Sequence, residues 1–163
     1  MKYYSGIGSR KTPKIILQQM SKIAVWLENE GFHLRSGGAD GADQAFSNQI
    51  SNKTIFLPWN NFNNQDGVVA NSDAFESVAR LNHPIYNKLS RPIKKLHQRN
   101  VAIVLGETLN EHSQFIICYT PDGKDSGGTG LAIRIGHSYN IPVYNMFYMT
   151  CDDIINDIKR GTE

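Results

Sequence analysis

Short apolar segments alternate along this chain with stretches whose apolar positions recur at helical spacing. Residues 3–7 read as a first strand that ends in Gly6-Ile7-Gly8-Ser9-Arg10. Thr12-Pro13 then opens a helix, with Thr12 as N-cap and Pro13 at the first helical position. Ile16, Met20, Ile23, Ala24 and Leu27 make its apolar stripe, and Gly31 closes it as a C-cap. A second strand is expected over 32–35, followed by a glycine-rich turn, a helix over about 41–48 and a third strand over 54–57. After Pro58-Trp59, the run from Asn60 to Gly67 is too polar and turn-rich to pack as a regular element, and it reads as a loop over a site. A short helix follows over 73–80. A longer one, capped by Ser90, spans 91–105 and puts Ile93, Leu96, His97, Asn100, Val101 and Val104 on one broad face. Residues 115–119 form an unbroken apolar run of the kind buried in parallel sheets. It leads into a third glycine-rich turn and a helix through Leu131, Ile135 and His137. Val143 to Met146 is the last strand. Thr150 caps a terminal helix with Asp152 and Asp153 in its first turn and Lys159 and Arg160 in its last, as the helix dipole favours.

Strands alternating with helices predict right-handed βαβ crossovers, and hence an α/β fold: a mainly parallel sheet with helices on both faces, in one domain over residues 1–163. Such sheets bind ligands outside the carboxyl ends of their strands. The three glycine turns, at 6–10, 36–41 and 126–130, all follow expected strands, so one crevice is expected to collect them.

Composition narrows the function classes. A formal charge of +2 over 163 residues argues against a nucleic-acid binder that works by bulk electrostatics, while leaving a local basic patch open. The two cysteines, Cys118 and Cys151, have neither metal-ligand nor disulfide-framework spacing, which suits a reducing cytoplasm and implies no metal. A basic segment followed by an apolar run is missing at the N-terminus, and no run of about 18 apolar residues occurs, so neither a signal peptide nor a membrane span is expected.

The chemistry is concentrated in the turns. In Arg35-Ser36-Gly37-Gly38-Ala39-Asp40-Gly41-Ala42-Asp43, three glycines let backbone N–H groups approach a ligand, and the start of the following helix favours an anion. Phosphate is the natural occupant. A carboxylate repels phosphate, so Asp40 and Asp43 are read either as helix caps or as acceptors from ribose hydroxyls. Arg10 is placed to pair with a phosphate, with a surface ion pair as the alternative. Trp59 either stacks on a base or simply packs. Arg99 belongs either to the site or to a solvated helix face. Lys124 and Arg134 are weaker candidates. His97 and His137 are expected to pack or cap, and no nucleophile–base set is visible in local order.

Taken together, Gly6-Ile7-Gly8-Ser9-Arg10, Ser36-Gly37-Gly38-Ala39-Asp40-Gly41-Ala42-Asp43, Arg99-Asn100 and Gly127-Gly128-Thr129-Gly130 resemble, in order, the motifs of the SLOG superfamily, the Rossmann-like group that includes DNA-processing protein A and the Lonely Guy phosphoribohydrolases. The likeness covers about residues 3–146. The turn after the second strand looks like the Ser-Gly-x-Ala-x-Gly-x-Asp of the DNA-processing branch, and the short chain looks like small stand-alone members, including ones carried by phages. The resemblance implies a nucleotide or nucleic-acid site built from Gly8, Ser9, Arg10, Ser36, Gly37, Gly38, Ala39, Asp40, Asp43, Arg99, Asn100 and the 127–130 turn, often in a homo-oligomer, and Trp59 is added to it from its own position after a strand end. It also carries two departures. Phosphoribohydrolases have a Pro-Gly-Gly-x-Gly-Thr-x-x-Glu signature, whereas the run from Ser126 to Arg134 offers no acid. DNA-processing proteins are usually longer chains with added domains. The expected function is therefore non-catalytic binding of a nucleotide or nucleotide-derived small molecule, with no catalytic residue and no cofactor assigned. A nucleoside monophosphate phosphoribohydrolase and a single-stranded DNA-binding factor are the alternatives.

Overall fold

The computed structural model describes residues 1–161. Its strands are β1 (Lys2–Gly6), β2 (Phe32–Gly37), β3 (Lys53–Leu57), β4 (Val68–Val69), β5 (Ile116–Cys118) and β6 (Val143–Asn145), all parallel, in the order β4-β3-β2-β1-β5-β6. The helices are α1 (Lys14–Asn29), α2 (Ala42–Ser47), α3 (Asp73–Asn82), α4 (Arg91–Leu105), α5 (Gly127–Ser138) and α6 (Cys151–Gly161). The chain builds outward from β1 to β4, returns through α3 and α4, and adds β5 and β6 on the other side of β1. The strand order therefore reverses between β1 and β5, the position at which open α/β sheets place their ligands.

Strand periodicity decides which residue enters which core. On β5, Ile116 and Cys118 point into an apolar cluster with Phe75 and Ala79 of α3, Val101 to Leu105 of α4 and Leu131 of α5. Ile117 points the other way, to join Tyr4, Leu34, Met20, Ile23 and Leu27 of α1, Phe46 of α2 and Ile154 of α6. The sheet is thus covered on both faces, as the Rossmann-like α/β expectation requires. Among the described residues, no helix is long and apolar enough to cross a membrane.

Several local expectations are corrected. Pro13, not Thr12, occupies the N-cap position of α1, and the Thr12 hydroxyl donates instead to the Ser9 carbonyl at 2.6 Å. Ser90 holds the N-cap position of α4 without a side-chain cap. Asp40 does not cap α2, because Gly41 sits there at φ 82° and Asp40 Oδ1 accepts from Gln44 Nε2 and Asn63 Nδ2. Thr150 does cap α6, reciprocally with Asp153: each backbone N–H donates to the other's side chain, at 2.9 and 3.1 Å. The loop read over 60–67 carries a 3₁₀ turn at Phe62–Asn64 and feeds an edge strand, β4, that local pattern did not announce. Two residues are too few to display an alternation, and β4 exists because Phe56 and Leu57 of β3 offer it a ladder. The third glycine stretch is not a turn ahead of a helix but the first turn of α5 itself.

Candidate functional site: a crevice at the strand-order reversal

A crevice of about 1160 Å³ opens at the carboxyl end of the sheet. Gly8, Ser9 and Arg10 line it from the segment after β1, Ala39 from the β2–α2 connection and Asp43 from the first turn of α2. Trp59 lines it from beyond β3, Arg99 and Asn100 from α4, and Gly127, Gly128 and Thr129 from the first turn of α5. Each of the three glycine stretches thus contributes lining to this crevice, the 36–41 turn through Ala39 alone, and α4 adds its adjacent Arg99 and Asn100. Convergence here is a product of topology: every parallel strand ends on the same side, so every strand-to-helix connection is delivered to one rim.

The floor holds two buried side chains of opposite charge that influence each other electrostatically without a direct hydrogen bond. Asp43 and Arg99 are each 5% exposed. A Cβ on Gly37 would lie 2.5 Å from Arg99 Nη1 and 2.6 Å from Asp43 Oδ2, so the missing side chain of Gly37 is the space in which these two groups face each other. Arg99 Nε donates to Asn100 Oδ1 at 2.9 Å and Nη1 to the Phe56 carbonyl at 3.4 Å, which holds the guanidinium under the crevice. Asp43 Oδ2 accepts from the Ala39 N–H at 3.3 Å. Burial pushes the Asp43 carboxyl up to about 6, against the opposing pull of Arg99, the Ala39 N–H and Arg10. Burial likewise lowers the Arg99 pKa, which Asp43 partly restores.

The wall opposite is the start of α5. Its first N–H groups have no intrahelical partner and lie at the positive end of the helix dipole. Asn100 Nδ2 donates to the Gly128 carbonyl at 3.1 Å and so ties this turn to α4. A Cβ at Gly128 would meet nothing within 4 Å, so the glycine is not demanded by packing. Gly128→Ala is accordingly expected to fold with unchanged or slightly raised stability, by up to about 1 kcal/mol, because alanine is the better helix former. The same methyl group reaches into the crevice, so affinity for any anion held by this turn should fall. Thermal melting together with calorimetric titration checks both halves, and a variant that binds as the wild type does would remove this turn from the site.

Aromatic and imidazole groups complete the lining. Trp59 and Phe62 meet edge to face, with ring centroids 5.4 Å apart, and the Arg99 guanidinium lies 5.5 Å from the Phe62 centroid. His97, 4% exposed, has its ring 4.8 Å from that of His83, and its Nδ1 is without a hydrogen-bond partner. Burial holds the His97 pKa down at about 4, with the charges of His83, Arg134 and Arg99 pushing the same way. Lys11, Arg134 and Asp125 also reach the crevice. Arg134 Nε donates to the Asn82 carbonyl and Nη1 to the Asp125 carbonyl, and the Asp125 carboxylate is 3.7 Å from Nη1.

Other candidate residues sit elsewhere. Ser36 and Gly37 are the last residues of β2, and the Ser36 hydroxyl donates to the Gly6 carbonyl at 2.6 Å. Gly38 is buried, and a Cβ there would meet Leu57 and Gln65 at 2.8 and 3.1 Å. Asp40 bonds Gln44 and Asn63, and Gly130 is buried inside α5. None of these five lines the crevice, so only Ala39 represents the 36–41 turn there. Conversely, sequence reasoning passed over Phe62, His83 and Asp125 as crevice residues and expected His97 to pack or cap. A period-3.6 reading that put His97 on the face of Asn100 was the available signal, since the two are three residues apart. Glu76 is occupied by Arg80, Tyr86 and Gln98 and lies off the crevice. Among the described residues, no cluster of His, Cys, Asp and Glu is placed to hold a metal ion, and Cys118 and Cys151 are both free and buried.

No protein-family model matches this chain, and no curated protein matches it in sequence. The chain is similar in structure to DNA processing protein A from Helicobacter pylori, described for its single-stranded DNA binding mode, with a TM-score of 0.55 and 17% identity over 98% of this chain and 73% of that one. At that identity the likeness is one of fold: a six-stranded parallel sheet with a helical layer on each face.

Proposed function

We propose that the crevice binds a nucleotide unit of single-stranded nucleic acid, by its phosphate and its base, without cleaving it. One observation carries the reading: guanidinium, helix N-terminus and an aromatic pair converge on a single crevice at the strand-order reversal. Phosphate is matched by Arg10, by the open first turn of α5 and by Arg99 beneath. A base is matched by Trp59 and Phe62, because every base has a π-face and stacking tolerates any sequence. The fold shared with DNA processing protein A supports nucleic acid as the source of that nucleotide.

The test is fluorescence anisotropy with a labelled oligothymidylate of about 10 nucleotides, inside the span that single-strand modules cover. With about two or three phosphates neutralised, log affinity should fall against log salt with a slope of about −1.5 to −2. Trp59→Ala should weaken binding about 5- to 150-fold, the worth of one stacked base. Quenching of tryptophan emission on binding should disappear with it, leaving only Trp26 to report. If the oligonucleotide fails to bind while thymidine or adenosine monophosphate binds with a salt-insensitive affinity, a free nucleotide-derived ligand is the better reading. The low net charge of +2 favours that second possibility.

Absence of turnover rests on the acids. Asp43 is the crevice carboxyl whose pKa suits proton transfer, but its Oδ2 is engaged by the Ala39 N–H and faces Gly37. Asp125 is held by Arg134. Nucleoside monophosphates and the oligonucleotide are therefore expected to be recovered intact after long incubation at high protein concentration. Chromatographic detection of free base, lost in Asp43→Asn, would falsify this part and make the hydrolase alternative the better one.

A further inference from the structure

Behind the loop over residues 121–126 lies a second pocket, of about 360 Å³, lined among others by Lys124, His137, Asn145, Tyr148 and Met149. It is not isolated from the crevice. Pro121, Asp125 and Ser126 face the crevice, Gly123, Lys124 and Asp125 face the second pocket, and Asp125 lines both. The loop thus separates the two pockets.

The partition is built to a definite shape. Asp122 Oδ1 accepts from the Lys124 N–H and the Ser126 hydroxyl, which closes the loop on itself. The Arg134 guanidinium donates to the Asp125 carbonyl and anchors the loop to α5. Gly123, at φ +72°, lies against an aromatic pair: a Cβ there would sit 2.5 Å from Tyr148 Oη and 2.6 Å from Phe147 Cδ1. Phe147 and Tyr148 meet edge to face with centroids 5.0 Å apart, and they remain 45% and 69% exposed although both are large and apolar. Asn145 fixes their position, because its Oδ1 accepts from the Phe147 N–H and the Thr120 N–H, and its Nδ2 donates to the Thr120 hydroxyl. The residue that shapes the second pocket is therefore bonded directly to the rim of the first.

Tyr148 of the exposed aromatic pair, Lys124 on the loop and His137 from the end of α5 offer this pocket a stacking face and a cation, not a metal site or a nucleophile. We propose that this pocket takes the base of the nucleotide next to the one held in the crevice, with Lys124 meeting the phosphate between them, so that a single strand crosses the 121–126 loop. The inference rests on the nucleic-acid reading of the crevice. It explains why two exposed aromatic side chains sit beside a loop whose aspartates are engaged, Asp122 by the Lys124 N–H and the Ser126 hydroxyl and Asp125 by Arg134, while the Lys124 side chain is exposed.

Anisotropy titration of thymidine 5′-monophosphate and of labelled oligothymidylates of increasing length tests it, using the full chain. Tyr148→Ala should leave mononucleotide affinity unchanged and weaken the longer oligonucleotides about 5- to 150-fold. Tyr148→Phe should restore them, since stacking needs the ring and not the hydroxyl. Lys124→Ala should flatten the salt dependence for the oligonucleotides alone, by about 0.7 in the slope. Tyr148 is largely exposed, so these variants fold, and circular dichroism verifies it. If the wild type binds oligonucleotides and Tyr148→Ala binds them equally well, the second subsite is wrong and the crevice reading stands. Equal losses for mononucleotide and oligonucleotide also overturn it, because the aromatic pair then acts on the crevice through the loop. If the wild type binds no oligonucleotide, both proposals fall together.

Discussion

Arg99→Ala is expected to destabilise the protein at pH 8 by up to about 3 kcal/mol, because it leaves the buried Asp43 carboxylate without the opposite charge that faces it and removes the bonds of the guanidinium to Asn100 and Phe56. Arg99 is 5% exposed and supports Asn100, the Phe56 carbonyl and the Asp43 carboxylate at once. Its loss leaves the buried Asp43 carboxylate with only the Ala39 N–H and Arg10 to favour its charged form. Protonation is the escape available to Asp43, whose pKa already stands at about 6 with Arg99 present and must rise further without it. The deficit should therefore shrink as pH falls from 8 to 5. Urea denaturation across that range reads it directly. Arg99→Met, which keeps much of the volume, should show the same pH trend with a smaller packing loss. A deficit that is the same at every pH would mean that Asp43 does not sense Arg99. Ligand affinity should be lost in both variants, since the guanidinium also forms the crevice floor.

Asp43→Asn tests the same site from the acidic side. In the folded chain this carboxyl titrates at about 6, against an ordinary value of 3.8. A raised carboxyl pKa means that the folded state prefers the protonated form. Its contribution to stability is complete below about 4 and is lost as pH rises through 6. The difference of about two pH units corresponds to about 3 kcal/mol. His97 works against it: its pKa is lowered from 6.5 to about 4, so its contribution is complete above 6.5 and is lost as pH falls toward 4. The two slopes oppose each other between pH 4 and 6, and the wild-type profile there is flattened. Asp43→Asn removes one slope and unmasks the other, so the variant should lose stability on acidification more steeply than the wild type. Chemical denaturation at pH 7, 6 and 5 decides it, and parallel profiles would refute the burial argument. A phosphate bound beside Asp43 raises its pKa further, so binding should take up protons and tighten as pH falls from 8 to 6.

Much of this structure follows from local pattern. The apolar stripe of α1, the unbroken run of β5 and the limits of α4 were all readable, because helical and strand periodicities are properties of neighbours in the chain. Parallel connectivity followed from the alternation of element types, and with it the prediction that the glycine stretches meet. What periodicity does not carry is depth. Gly37 and Gly38 resemble a phosphate turn in sequence, yet Gly37 ends strand β2 and makes room for Asp43 and Arg99, and Gly38 packs under Leu57 and Gln65. Asp43 looked like a cap or a ribose acceptor, and only burial beside a guanidinium brought from 56 residues away makes it a carboxyl that titrates near 6. Arg99 and His97 sit on a helix whose other face is core, and which face meets the crevice was set by how α4 crosses the sheet. The loop over 121–126 and the aromatic pair beneath it come from separate connections, after β5 and after β6. Local sequence specifies the elements because it fixes their own hydrogen bonds and faces. The site belongs to tertiary structure, because burial, opposing charge and shared walls arise only when distant connections are folded onto one rim.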